Sequence, residues 1–208
     1  MTKSSRLTRR RMAMAALALL GLLALPPVRH ALEAGMTPHM LVQFPLVALC
    51  GAMLAHALPL RWHARFDRWN AYGVSGLLAA ALVLAVLMIP RVLDLALVDA
   101  RVETVKWLAL LLCGAALRVS WRPAGLLVQG FFLGNVLPMT VVAGHLFQDT
   151  PVRLCNAYLL DDQVRLGQWL VGLAACVAAG WFAQVVRAMM RRDAAAALVT
   201  GPASPGSR

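Results

Sequence analysis

The most informative part of the chain is a long apolar stretch that carries no formal charge. From Ala34 to Leu60 there is no Lys, Arg, Asp or Glu. About 20 mostly apolar helical residues cross a hydrocarbon core of about 30 Å, so the pattern predicts a transmembrane helix over 37–60. Four polar or sulfur-bearing residues recur at helical spacing along it: His39, Gln43, Cys50 and Met53. Lipid offers such groups no partners, so we expect this face to turn inward, for ordinary helix packing or around a metal or cofactor site at the His39 end.

Apolar runs separated by short charged segments continue along the rest of the chain. Five further spans are predicted from them, at 12–28, 70–90, 105–121, 123–147 and 166–190. The expected fold class is therefore an all-α polytopic membrane helix bundle with six transmembrane helices. The bundle occupies residues 12–190, between a basic segment at 1–11 and a flexible tail of small residues at 191–208.

The first span has a second interpretation. Residues 1–28 combine a basic start, a short apolar run and the Pro26-Pro27 break, which also describes a cleavable signal peptide. If the segment were cleaved, five spans would remain and the mature N-terminus would lie outside. No clean small-residue cleavage motif follows the apolar run, so we favour an uncleaved span.

Composition supports the membrane class. The chain is 61% hydrophobic and 14% charged, whereas soluble domains carry about 25% charged residues. The net charge of +11 does not indicate nucleic acid as a partner, because the positive residues lie in short clusters between apolar runs. The four cysteines are far apart and three of them lie in apolar spans, so they predict no disulfide framework.

The distribution of charge predicts the orientation. With the N-terminus inside, 14 of the 20 Lys and Arg residues fall on the inner side and seven of the nine acids on the outer side. Because positive loops stay in the cytoplasm, both termini are expected there, in the cell inner membrane. The inner loop with Arg61, Arg65 and Arg68 is expected to contact membrane lipid headgroups.

This orientation places candidate metal ligands near the outer side. Met36, His39 and Met40 begin the second span there, and His145 ends the fifth. Thioether and imidazole groups are ligands that suit Cu(I), so this set predicts a copper site. The same side holds Asp162, which is expected in a solvated loop or as a cap of the last helix.

The fifth span carries its own polar group near Pro138. A proline leaves the carbonyl one turn back, near Gly134, without its usual donor. Asn135 and Thr140 are placed to satisfy freed groups of this kind. Repair of the kink and lining of a ligand path are both compatible with the pattern.

Three motifs occur in the order of a known family. They are His39-Met40 with Gln43, Leu137-Pro138-Met139, and Asp162-Gln163 with Gly167. Together with the segment 94–121 they resemble the CtaG-like cytochrome c oxidase assembly family, over roughly residues 36–185. The resemblance implies a membrane protein that aids oxidase maturation through copper, with His39, Asp162 and Gln163 at family positions.

The chain differs from that family at three histidines. Phe44 follows Gln43, so the family's second histidine is missing from this motif. Glu103 and Trp107 align with two histidines that the family tends to carry at the start of its middle helix.

The sequence therefore predicts an integral membrane protein that handles copper at the outer membrane face and assists a respiratory oxidase subunit, without catalytic turnover. One alternative is a small permease or channel, for which Gln43, Asn135 and Gln168 are candidate path residues. The other is a structural subunit of a membrane complex with no metal site.

Overall fold

The computed structural model describes residues 3–59, 68–155 and 157–199. Within these ranges the chain forms eight helices and no strand. The helices are α1 (Lys3–Ala24), α2 (Pro26–Glu33), α3 (Met36–Ala57), α4 (Val74–Leu87), α5 (Pro90–Val98), α6 (Ala100–Ser120), α7 (Gly125–Asp149) and α8 (Leu160–Val199). The all-α bundle is confirmed. The inner loop predicted at 61–69 falls largely outside the described residues.

Three helices are each long and apolar enough to cross a membrane, namely α3, α7 and α8. Two bent pairs pass the same test when each is taken as one span: α1 with α2, bent by 71°, and α4 with α5, bent by 76°. Proline stands at the start of α2 and of α5, where its missing N–H costs no helical hydrogen bond. The described residues thus provide three to five candidate spans, and the sixth stays a prediction.

Helices α3 and α6 cross at two glycines. A methyl group at Gly51 would overlap the Leu111 carbonyl, and one at Gly114 would overlap the Ala48 carbonyl. The two backbones therefore approach as closely as small residues allow. Because of this crossing, polar residues of α3 and α6 lie next to each other at both ends of the helix pair. We call these two ends the His39 end and the His56 end.

Helices α7 and α8 cross in the same way at Gly144 and Gly167. A Cβ atom at Gly144 would lie 2.9 Å from the Gly167 carbonyl oxygen, and Gly167 faces the Gly144 carbonyl in return. Gly130 and Gly134 form a GxxxG pair on α7, but among the described residues they do not face the backbone of another helix. Gly130 meets the ring of Trp181, and Gly134 has open space.

The polar residues around Pro138 bond within their own helix. The Asn135 amide donates to the Phe131 carbonyl at 2.7 Å, and the Thr140 hydroxyl donates to the Val136 carbonyl at 2.8 Å. Both side chains thus bond carbonyls other than that of Gly134. Such back-bonding fits local accommodation of the proline.

Two buried apolar clusters fill the part of the bundle that the structure describes. The cluster at the His39 end includes Met36, Phe44, Val47, Leu110, Phe147 and Leu166. The second includes Leu77, Ala80, Cys113, Phe132 and Leu133. The last helix continues to Val199, so the predicted boundary between bundle and tail at 190/191 is not a break in the helix.

Candidate functional site

A wide helical turn presents His39 to the interior. Residues 39–43 of α3 form a π turn, closed by the Phe44 N–H donating to the His39 carbonyl. Pro45 explains the turn: it has no N–H to donate to Leu41, and its ring would clash with that carbonyl in a regular helix. Such π turns are frequent at functional sites. His39 and Gln43 are both fully buried.

Both ring nitrogens of His39 are engaged. Nδ1 lies 2.6 Å from the Tyr158 hydroxyl, and Nε2 lies 3.0 Å from Nζ of Lys106. An ammonium has donors only, so Nε2 must be the acceptor. His39 is then the neutral tautomer with its proton on Nδ1, which donates to the Tyr158 oxygen.

Lys106 also joins His39 to a network of ion pairs. Its Nζ lies 3.6 Å from a Glu33 oxygen and 3.9 Å from a Glu103 oxygen. Arg29 contacts the same two carboxylates, at 3.3 Å and 3.4 Å. The network thus has two positive and two negative groups and no net charge. Its Lys and Glu side chains are at most 10% exposed, while Arg29 is 38% exposed and marks its edge. We call these four residues with His39, Gln43 and Tyr158 the outer cluster, after the side of the membrane on which the sequence predicts His39.

Neighbouring side chains complete the cluster. The Gln43 amide donates to Glu33 at 3.1 Å, and the Trp107 indole donates to Glu103 at 3.1 Å. The Phe44 ring lies edge-on to the His39 ring and 5.9 Å below Nζ of Lys106. Ring and cation are at a distance where they attract each other. The Gln43 oxygen is buried without a hydrogen-bond partner among the described residues.

Helix α8 fixes the chain around this cluster. Asp162 accepts hydrogen bonds from the backbone N–H of Met36 and from the N–H and hydroxyl of Thr37. A carboxylate in this place satisfies the first amides of α3 and interacts favourably with its positive dipole end. The sequence predicted a solvated loop or a cap of the last helix for Asp162, whereas this residue lies inside α8 and caps α3.

Gln163 ties down the segment before α8. Its oxygen accepts from the Leu154 N–H at 2.8 Å, and its amide donates to the Phe147 carbonyl at 3.1 Å. The segment carries Cys155 and Tyr158 into the interior. Burial raises the pKa of Cys155 to about 12 and also raises the pKa of the Tyr158 phenol, so both groups stay protonated at neutral pH.

The predicted metal ligands are only partly brought together. Met36 and Met40 are buried with Tyr158 and Phe44, the two ring partners of His39. His145 is exposed on α7, two residues before the buried Phe147. Among the described residues, no three or more His, Cys, Asp or Glu side chains are grouped to hold a metal ion.

No family model, curated protein or solved structure matches this chain.

The donor set at His39 can still be compared with the chemistry of Cu(I). An imidazole with two thioethers is a soft set that suits this ion. The nitrogen that would coordinate Cu(I) is Nε2, which accepts a hydrogen bond from Lys106. Copper at His39 therefore requires Lys106 to release that nitrogen first.

Sequence reasoning missed the partners of His39. Neither Lys106 nor Glu33 was among the predicted site residues. A usable signal was present, since Glu103 and Lys106 are three residues apart at the edge of an apolar helix and so share one face. Tyr158 lies 119 residues from His39, and no local pattern joins them.

Proposed function

We propose that this protein is a non-catalytic assembly factor of a respiratory oxidase, located in the cell inner membrane with both termini in the cytoplasm. The outer cluster carries this proposal. Its four charged groups pair with one another, and both nitrogens of His39 are engaged. It therefore joins α2, α3, α6 and the segment that carries Tyr158, and a joined scaffold of this kind suits the holding of a partner.

The motif resemblance supports the choice of client. Asp162 and Gln163, two of the three positions shared with the CtaG-like family, hold the chain around the third, His39. These contacts place the three residue types in one region of the fold. They support a common architecture at this end of the bundle.

A complementation experiment tests the proposal. Cells that lack the protein should lose oxidase activity and the haem absorption of the assembled enzyme, and the wild-type chain should restore both. His39→Ala should fail to restore them. Asn135→Ala, which changes an exposed residue away from the outer cluster, should restore them fully. Protein levels are measured by immunoblot, so that loss of the protein itself is recognised. Unchanged oxidase activity in the deletion strain would remove the proposal.

Transient binding of Cu(I) is a second candidate function. The observation that favours it is that Met36 and Met40 are buried in the same apolar cluster as Phe44 and Tyr158, whose rings contact His39. The side chains of His39, Met36 and Met40 would hold the ion, and the bound copper would be cargo for delivery to the oxidase. Lys106 competes for the same nitrogen, which predicts weak binding by the wild-type chain.

A competition titration with a Cu(I) chelator separates this candidate from assembly without copper. Lys106→Met should bind Cu(I) more tightly than the wild type, because Nε2 becomes free. Adding His39→Gln should abolish the gain, and Met40→Leu should reduce it. Met139→Leu, which removes a thioether on α7, serves as the control. If Lys106→Met that is folded by circular dichroism binds no stoichiometric Cu(I), the copper candidate is removed while the assembly proposal is unaffected.

The placement of the candidate path residues gives a permease no comparable support. Gln43 is fully buried in the outer cluster, whereas Asn135 and Gln168 are exposed on α7 and α8. The seam between α3 and α6 is closed below the cluster by the contacts at Gly51 and Gly114.

A further inference from the structure

A groove in the surface of the bundle lies between α3, α6 and α7. Its volume is about 550 Å³, within the range of ligand pockets. Ala48 and Ala52 of α3 and Gly114 of α6 contribute small side chains, which leave the groove open, and Leu117 and Phe132 add apolar walls. This lining matches a hydrocarbon chain.

Two arginines and a tryptophan line the groove at its His56 end: Arg118, Arg122 and Trp121. Arg118 donates to Nδ1 of His56 at 3.0 Å, a contact with a neutral acceptor that leaves its charge uncompensated. Within residues 3–59, 68–155 and 157–199, neither arginine forms an ion pair with a carboxylate, since the four salt bridges there all lie in the outer cluster. The groove is therefore apolar along its length and positive at one end.

The apolar walls and the positive end of the groove together decide which kind of molecule it fits. An acyl chain is apolar and thin, which suits the small residues Ala48, Ala52 and Gly114. A phosphate attached to that chain would meet guanidinium groups, which bind it through paired N–H donors. Basic pockets between transmembrane helices are recognised sites for anionic lipid headgroups.

We propose that this groove binds one anionic phospholipid, with an acyl chain along Ala48, Ala52 and Leu117 and the phosphate at Arg118 and Arg122. The site is separate from the outer cluster, since it is formed at the opposite end of α3 and α6. Bound lipid would fill the groove between α3, α6 and α7.

Native mass spectrometry of the purified protein in detergent tests the site. Phosphatidylglycerol is compared with phosphatidylcholine of the same acyl chains, and inorganic phosphate is added as a competitor. We expect phosphatidylglycerol to bind at least fivefold more tightly, and millimolar phosphate not to displace it. Arg122→Gln should weaken its binding roughly fivefold, which corresponds to the loss of one arginine contact at a membrane surface.

Two further variants separate the groove from general charge. Ala52→Trp, which fills the groove, should abolish phosphatidylglycerol binding while leaving the surface charge unchanged. Arg191→Gln removes an exposed arginine of α8 outside the groove and should leave binding unchanged. Equal binding of the two lipids, displacement by phosphate, or an equal loss in Arg122→Gln and Arg191→Gln would each overturn the proposal.

Discussion

Replacing Lys106 tests whether the outer cluster holds α3 and α6 together. Lys106→Met keeps the apolar stem of the side chain and removes the charge. Glu33 and Glu103 then lose a cation at 3.6 Å and 3.9 Å, and His39 Nε2 loses its donor. Each attraction is about 4 to 5 kcal/mol at an effective dielectric constant of about 20, and the desolvation of Lys106 offsets part of it.

The net expected loss is about 3 to 5 kcal/mol in the free energy of unfolding, the usual result of removing one partner of a buried pair. Glu33→Gln in the same chain should recover most of it. The double variant keeps Arg29 paired with Glu103 at 3.4 Å, and a glutamine amide oxygen at position 33 can still accept from Gln43. Balanced removal of a buried ion pair is often nearly neutral.

Equilibrium unfolding in mixed detergent micelles, followed by tryptophan fluorescence and circular dichroism, gives the four free energies of the cycle. Arg101→Met is the matched control, because Arg101 is an exposed cation on the same helix. It should change stability by no more than about 0.5 kcal/mol. The expectation is contradicted if Lys106→Met loses no more stability than the control. It is also contradicted if the double variant loses as much stability as the two single variants together.

Two further predictions concern contacts away from the charges. Gly114→Ala should destabilise the bundle by about 1 to 3 kcal/mol in the same unfolding assay, because the added methyl overlaps a backbone carbonyl of α3. Gly134→Ala places its methyl in open space and should be neutral or stabilising. Equal effects of the two substitutions would contradict the close crossing of α3 and α6. Gln163→Ala should release the segment that buries Cys155 and speed maleimide labelling of the Cys155 thiol at pH 8. In the wild type this labelling is slow, because a pKa of about 12 leaves roughly one thiol in ten thousand ionised at that pH. Equal labelling rates in variant and wild type would show that Gln163 does not hold the segment.

The helical bundle itself was readable from the sequence because hydrophobic burial follows simple periodicity. The face of α3 was predicted from His39, Gln43, Cys50 and Met53. The first three residues are fully buried, and Met53 is partly buried. The spans were less predictable. Pro26 and Pro90 begin the helices that follow sharp bends, and length alone cannot tell a crossing helix from one that turns at the surface.

The chemistry of the site could not be read in the same way. The distances that define the outer cluster join residues up to 119 positions apart, and they depend on how closely α3 and α6 cross. Gly51 and Gly114 decide that crossing, yet a single glycine in an apolar helix gives no sign of its partner. The sequence pointed to His39 as a metal ligand, whereas its coordinating nitrogen faces a lysine that only tertiary packing brings there.

Nitrogen-15 NMR of the histidine side chains in lipid bilayers at pH 7 addresses the central feature most directly. The signal of His39 is assigned by its loss in His39→Gln. Our account predicts a neutral ring with its proton on Nδ1, and a change of the Nε2 signal in Lys106→Met. A ring protonated on Nε2, or an Nε2 signal that is unaffected by the loss of Lys106, would contradict it.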